Sequence, residues 1–392
     1  MEKQKNIPAL RFPEFTEEWE WKKFSEITDV KSQKYNPEKE KISVKCIELE
    51  HLASETGQLL GYTDGQFSGS IKNKFNSGDV LFGKLRPYLK KYLLATFDGV
   101  CSSEIWVFKG KEVTNEFLFF LIQKNEFIDL ANISAGSKMP RADWSIVSAG
   151  IFYIPSAPEQ QNIASFLSAI DEKLQALKKK KSLLEQYKKG VMQKIFSQDI
   201  RFKDDNGEDF PDWEEKNGNL IFENISDKKH NSDLPILAIT QDYGAIPRDL
   251  IDFNISVTDK SVGSYKVVQI GDFIISLRSF QGGIEYSNYK GLCSPAYIIL
   301  RPKEELNRAF FRYYFKTEVY ISLLNKKLEG IRDGKMISYK YFSDIELPLP
   351  SLKEQTKIAN FLSAIDEKIN HCQTQIEKTE QYKKGLLQQM FV

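Results

Sequence analysis

The stretch whose residue types and spacing come nearest to chemistry is Gly83-Lys84-Leu85-Arg86-Pro87-Tyr88-Leu89-Lys90-Lys91-Tyr92. It interleaves cations with tyrosines directly after an apolar run, Val80 to Phe82. Arginine can hydrogen-bond guanine bidentately, glutamine can do the same for adenine, and lysine positions a backbone through phosphate. Lys84, Arg86, Tyr88, Lys90 and Lys91 are therefore candidate DNA contacts, although such a patch taken alone is better read as a solvated surface. A counterpart in the second half carries Arg278, Ser279 and Gln281 ahead of Gly282 and Gly283. A further pair of donor-rich loops adds Lys138 and Arg141 in the first half, and Arg332, Lys335 and Lys340 in the second. Recognition residues commonly sit on such loops above a rigid scaffold.

Catalytic signatures are missing. Gly78 to Lys84 fits the GxxxxGK of a phosphate-binding loop, but Leu85 replaces the Ser or Thr that would hold Mg²⁺, and Val80 to Phe82 read as a strand. The sequence holds no GxGxxG, HExxH or GxSxG, and Asn36-Pro37 continues as Glu38 rather than as the Asn-Pro-Pro-aromatic grip of amino-methyltransferases. Cys46, Cys101, Cys293 and Cys372 form no CxxC pair and lie apart from His51, His230 and His371, which argues against a disulfide framework or a zinc site. The expectation is a chain that catalyses nothing by itself and holds no metal.

The elements that must position these loops are declared by a repeat. Phe-Leu-Ser-Ala-Ile-Asp-Glu-Lys occurs at Phe166 to Lys173 and again at Phe361 to Lys368, and the surrounding match runs without a gap over Pro155 to Phe196 and Pro350 to Phe391. Apolar residues recur in heptads: Ile163, Ile170, Leu177, Leu184 and Val191 in the first copy, and Ile358, Ile365, Cys372, Thr379 and Leu386 in the second. Both copies read as coiled-coil seams, with Lys181, Lys188, Thr379 and Lys383 as polar breaks that help fix register. Each seam needs a partner, and the other copy is the nearest. A pseudo-twofold relation between the halves predicts an antiparallel pair.

Between the helices the sequence reads as mixed α/β (α+β). In the first half Val44 to Leu49, Val80 to Phe82, Tyr92 to Phe97 and Ile105 to Phe108 look like strands; in the second half Leu234 to Ile239, Tyr265 to Ile270, Phe273 to Leu277 and Tyr297 to Leu300 do. Asn115 to Ile133 and Leu306 to Leu328 each predict one helix. Each half opens on aromatics: Phe12, Phe15, Trp19 and Trp21 in the first, Phe202, Phe210 and Trp213 in the second. The divisions are a first globular domain over 1–155, a helix over 156–199, a second domain over 200–350 and a last helix over 351–392. With 55 basic and 54 acidic residues the net charge is +1, so any nucleic-acid contact must come from local patches or partner subunits. Met1 to Phe15 lacks the apolar core of a signal peptide and no apolar run would span a membrane, so the chain is expected in the cytoplasm.

The helices stayed nearly fixed while the domains diverged, which suggests one partner surface presented twice. Phe166, Asp171, Glu172 and Tyr187, with their counterparts Phe361, Asp366, Glu367 and Tyr382, are the candidate docking residues; Asp171-Glu172 and Asp366-Glu367 would otherwise be solvated helix charges.

The whole chain resembles the specificity subunit of Type I restriction-modification enzymes. The aromatic openings, Gly-Asp-Val-Leu-Phe-Gly-Lys-Leu-Arg-Pro at Gly78 to Pro87, the segment Pro155 to Gln161 and the duplicated helices with their Glu-Gln-Tyr-Lys-Lys-Gly carry the resemblance. It implies that each domain reads one half of a bipartite double-stranded DNA target, and that the helices space the readers and hold two methyltransferase subunits, which restriction subunits join. S-adenosylmethionine, ATP and Mg²⁺ would then belong to those partners. Lys84-Leu85-Arg86-Pro87 meets the family pattern, whereas Ser276-Leu277-Arg278-Ser279 departs from it. A helix-pair scaffold whose domains bind proteins instead of DNA is the rival reading.

Overall fold

The computed structural model describes residues 6–30, 32–133, 139–251, 262–326 and 337–392. The chain divides into two units: Met1–Lys179 with Thr374–Val392, and Lys180–Gln373. Two long helices, Ala157–Phe196 and Leu352–Gln389, each supply part of both units.

In the first unit a four-stranded antiparallel sheet runs in the order Thr28–Asp29, Ile105–Gly110, Val80–Gly83, Tyr92–Leu94. A five-stranded sheet lies in the order Lys34–Tyr35, Lys72–Phe75, Gly99–Cys101, Lys45–Ile47, Thr63–Asp64 and contains one parallel pair, Lys45–Ile47 with Gly99–Cys101. Glu20–Lys23 pairs with Ile151–Ile154, so the chain leaves the domain beside the strand by which it came in. The second unit repeats the four-stranded order with Phe222–Ile225, Ile298–Pro302, Phe273–Ile275 and Glu285–Tyr286, and repeats the closing pair with Glu214–Asn217 and Glu346–Leu349. The mixed fold with two like domains and two long helices is as the sequence implies.

Packing is aromatic in both units. Phe82, Phe108 and Phe127 meet around Phe24 in the first; Phe273, Phe311, Phe315 and Phe342 surround Phe222 in the second. Such edge-to-face contacts add about 0.5–1.5 kcal/mol per pair beyond area burial.

The helix stretches pair antiparallel within each unit. In the first unit Asp171 meets Lys383 and Lys178 meets Glu380; in the second Lys181 meets Gln373 and Lys188 meets Asp366. Rising numbers on one strand of the pair therefore face falling numbers on the other. Ile163, Leu167, Ile170 and Leu174 are buried in the first unit, as are Ile358, Leu362 and Ile365 in the second.

Two expected single helices are each two. Asn115 to Ile133 divides into Asn115–Leu121 and Asn125–Asn132: Ile122 still has helical angles, and Lys124, extended at φ -64°, ψ 149°, restarts the chain as the N-cap of the second helix. In the second unit Arg308–Tyr314 ends before Glu318–Lys326, where the Thr317 hydroxyl donates to the Tyr314 carbonyl and accepts from the Tyr320 N–H. Leu328 lies outside the described residues.

Candidate nucleic-acid interface

The first unit's basic stretch forms a turn stitched to a neighbouring segment. The strand Val80–Gly83 ends, the Lys84 N–H donates to the Glu104 carbonyl, and the Arg86 N–H donates to the Pro140 carbonyl at 2.8 Å. Leu85 and Arg141 form an isolated bridge beside this contact. Arg86 then adopts φ 53°, ψ 60° directly before Pro87. This left-handed conformation is costly for a side chain with a Cβ and disfavoured before proline, and strain of this kind concentrates where a side chain must be aimed.

The arginine is exposed, and its guanidinium has no partner among the described residues. Tyr88, two residues on, is 51% exposed. Three of the other cations are engaged. Lys91 donates to the Leu49 carbonyl at 2.6 Å, Lys90 faces Glu55, and Arg141 forks onto Glu104 at 3.0 and 3.2 Å. Lys84 is half-buried. The structure thus gathers Arg86, Tyr88 and Arg141 at one turn and gives Lys91 a structural bond.

In the second unit Arg278 caps the short helical turn Ser279–Gly282 and is exposed, as is Gln281. Ser279, expected among the contacts, is 1% exposed; its hydroxyl accepts the Ser276 N–H at 2.9 Å, so it holds the turn instead of facing a ligand. Below, Lys316 donates to the Gly282 carbonyl and to Glu285, and burial pushes the Glu285 carboxyl above its ordinary pKa. Lys340 is exposed on the helix Tyr339–Ser343. Lys138, Arg332 and Lys335 lie outside the described residues.

The sequence did not single out the ribbon beside this turn. Leu237–Thr240 pairs with Gly244–Pro247, and its tip, Gln241 to Tyr243, is exposed. Gln-Asp-Tyr-Gly between two apolar runs is a turn signal that would have found it.

The residues proposed for docking divide by role. Asp171 binds Lys383, and Asp366 binds Lys188 and the Tyr313 hydroxyl at 2.7 Å. Each repeat's Asp is thus clasped by the other repeat's Lys. Burial raises the Asp171 pKa, with Lys383 opposing the shift, and burial together with the neighbouring Asp366 carboxylate pushes Tyr313 up to about 12 against the opposing bond to Ser363. Phe166 packs edge-on against Phe12 and Phe361 against Phe202. Glu172, Glu367, Tyr187 and Tyr382 remain exposed.

The Glu-Gln at the start of each helix also repeats its contacts. Arg11 forks onto Glu159 at 2.7 Å, as Arg201 binds Glu354. Gln160 accepts the Thr114 N–H and donates to the Pro155 carbonyl; Gln355 does the same with Asn307 and Pro350. Among the described residues no group of His, Cys, Asp and Glu could hold a metal ion, and no helix is long and apolar enough to cross a membrane.

The family model for the type I restriction modification DNA specificity domain matches this chain twice, over 16–186 and 209–381. The chain belongs to that family. The two matches coincide with the two structural repeats, so the specificity domain is present in duplicate. The putative MjaX specificity subunit of Methanocaldococcus jannaschii is 25% identical over 98% of this chain and 95% of its own length. The Escherichia coli EcoDI specificity subunit is 30% identical over 41% of this chain, but only 36% of that subunit is covered. A type I restriction-modification S subunit from M. genitalium superposes with TM-score 0.60 at 16% identity, covering 98% of this chain and 99% of that one. A chain from a structural study of assembly and conformational transition in a type I R-M system gives 0.57 at 22% identity over 95% of this chain and 96% of its own length. At those identities the likeness is one of fold.

Proposed function

We propose that this specificity subunit recognises a bipartite double-stranded DNA target, each unit reading one half. The observation that carries the reading is a contrast between frame and turn. Both units repeat the Arg–Glu fork, the Gln clamp and the Asp–Lys clasp, whereas Lys84-Leu85-Arg86-Pro87 and Ser276-Leu277-Arg278-Ser279 differ in sequence and in backbone conformation. A frame held constant around two different exposed arginine turns suits two different half-sites.

The exposed Glu172, Tyr187, Glu367 and Tyr382 supply one surface twice, which supports docking of two methyltransferase subunits, with restriction subunits joining that core. S-adenosylmethionine, ATP and Mg²⁺ would be bound there, and this chain would contribute recognition without catalysis.

Exchanging 28–151 for the equivalent segment of a relative, co-expressing the chimera with its methyltransferase subunit and mapping methylated adenines tests the reading. One half of the motif should change and the other persist. An unchanged motif refutes the assignment.

A further inference from the structure

Resting on the reading of the second unit as a DNA reader, we propose that Gln241 at the tip of the ribbon recognises an adenine in the second half-site. The ribbon is stiff. Its strands pair over four positions, Leu237↔Pro247 to Thr240↔Gly244; it is anchored at Ile236↔Leu292 and Ala245↔Ser287; and the Thr240 hydroxyl closes the turn by donating to the Gly244 carbonyl and accepting the Tyr243 N–H. Gly244, at φ +70°, is required where it stands, because a Cβ there would lie 2.5 Å from the Tyr286 carbonyl oxygen. The tip is therefore held, not loose.

The tip is also joined to the turn that presents Arg278. The Gln241 side-chain amide donates to the Arg278 carbonyl at 3.3 Å, and it packs so closely on Gly282 that a Cβ there would come within 2.6 Å of Gln241 Cδ. Asn325 and Lys316 hold the same turn from behind through the carbonyls of Phe280 and Gly282.

A glutamine amide has two N–H donors and one acceptor oxygen. With one N–H on the Arg278 carbonyl, one N–H and the oxygen remain. Adenine's major-groove edge needs that pair: a donor for N7 and an acceptor for the N6 amino group. Fixing the amide by a bond behind it removes the entropy that a free glutamine would lose on binding. Leu237 and Ala245 are buried in the core while the tip from Gln241 to Tyr243 is exposed, so the tip is the part of the ribbon that can reach a base edge.

The test uses the full chain with its methyltransferase subunits. The wild-type motif should contain an A·T pair in the second half-site at which Gln241→Ala and Gln241→Glu, the latter lacking the donor for N7, each lower discrimination by about ten- to a hundred-fold, with the first half unchanged. Should either variant abolish methylation, competition binding by the purified complex decides. Equal affinity for all four pairs at that position with the first half still preferred supports the proposal; a kept adenine preference, or a loss spread evenly over both halves, overturns it. The 28–151 exchange is run alongside. If that exchange alters the first half while Gln241 variants leave the second intact, only Gln241 is misassigned; if neither alters the motif, the DNA-reading assignment falls with it.

Discussion

Arg86 joins a costly backbone conformation to a side chain proposed for recognition. Its left-handed backbone costs about 1–2 kcal/mol for a residue with a Cβ, and glycine would return about half of that after its own larger entropy loss on folding. Arg86→Gly should therefore raise Tm slightly, by the equivalent of roughly 0.5–1 kcal/mol, while DNA affinity falls at the first half-site. A lower Tm in a thermal melt would show that the guanidinium contributes to the fold.

Asp171 and Lys383 make a second prediction at this scale. Their side chains are only 20% and 11% exposed, so removing the lysine leaves a carboxylate poorly solvated. Lys383→Met should cost on the order of 2–3 kcal/mol. The pH sign follows from the raised Asp171 pKa. A carboxyl that holds its proton more tightly when folded loses stability as pH rises from the ordinary carboxylate range through the folded value. Without Lys383 the shift grows, so the variant's deficit should shrink on acidification. Denaturant midpoints of both proteins across that range would check this; a deficit independent of pH would contradict it.

At the scale of elements, the long helices show how far a heptad can be read. The apolar rows placed Ile163, Ile170, Ile358 and Ile365 correctly in buried seams, because period and burial have one cause. Thr379 was read as a polar break, and it is one: it is buried at 9% exposure and its hydroxyl donates to the Gln375 carbonyl four residues back on its own helix. Among the described residues no other polar group depends on that hydroxyl. Thr379→Leu should raise stability by about 0.5–1.5 kcal/mol through added apolar burial, visible as a shifted denaturant midpoint; a fall would mean that the seam there is already full. The breaks at Ile122–Lys124 and at Thr317 were not legible. A break inside a continuing apolar period depends on tertiary packing, which local periodicity does not encode. Ser279 fails as a contact for the same reason: a serine in a basic, glycine-flanked turn reads as surface, and only the tertiary bond to the Ser276 N–H turns it inward.

At the scale of the molecule, the repeat was plain because the contacts that preserve it are reciprocal. The Asp of one copy needs the Lys of the other, so neither Asp171 nor Asp366 can drift without losing a partner. The turns around Arg86 and Arg278 carry no such reciprocity, and they diverged. Under the proposed reading the bases they would face depend on loop geometry, so the half-sites could not be read from residue types. The same reciprocity separates two classes of variant: exchange of a domain should transfer a half-site, whereas Lys383→Met should leave both half-sites intact and lower Tm.

The second unit is one uninterrupted stretch, Lys180–Gln373, whereas the first is completed only by Thr374–Val392. On the ribosome, then, the unit begun first is finished last. At typical synthesis rates roughly 10–40 s separate the making of Lys179 from that of the last residues. Through that interval the apolar face that later receives Leu386, Met390 and Phe391 is uncovered, and transiently exposed apolar surface of this kind favours aggregation.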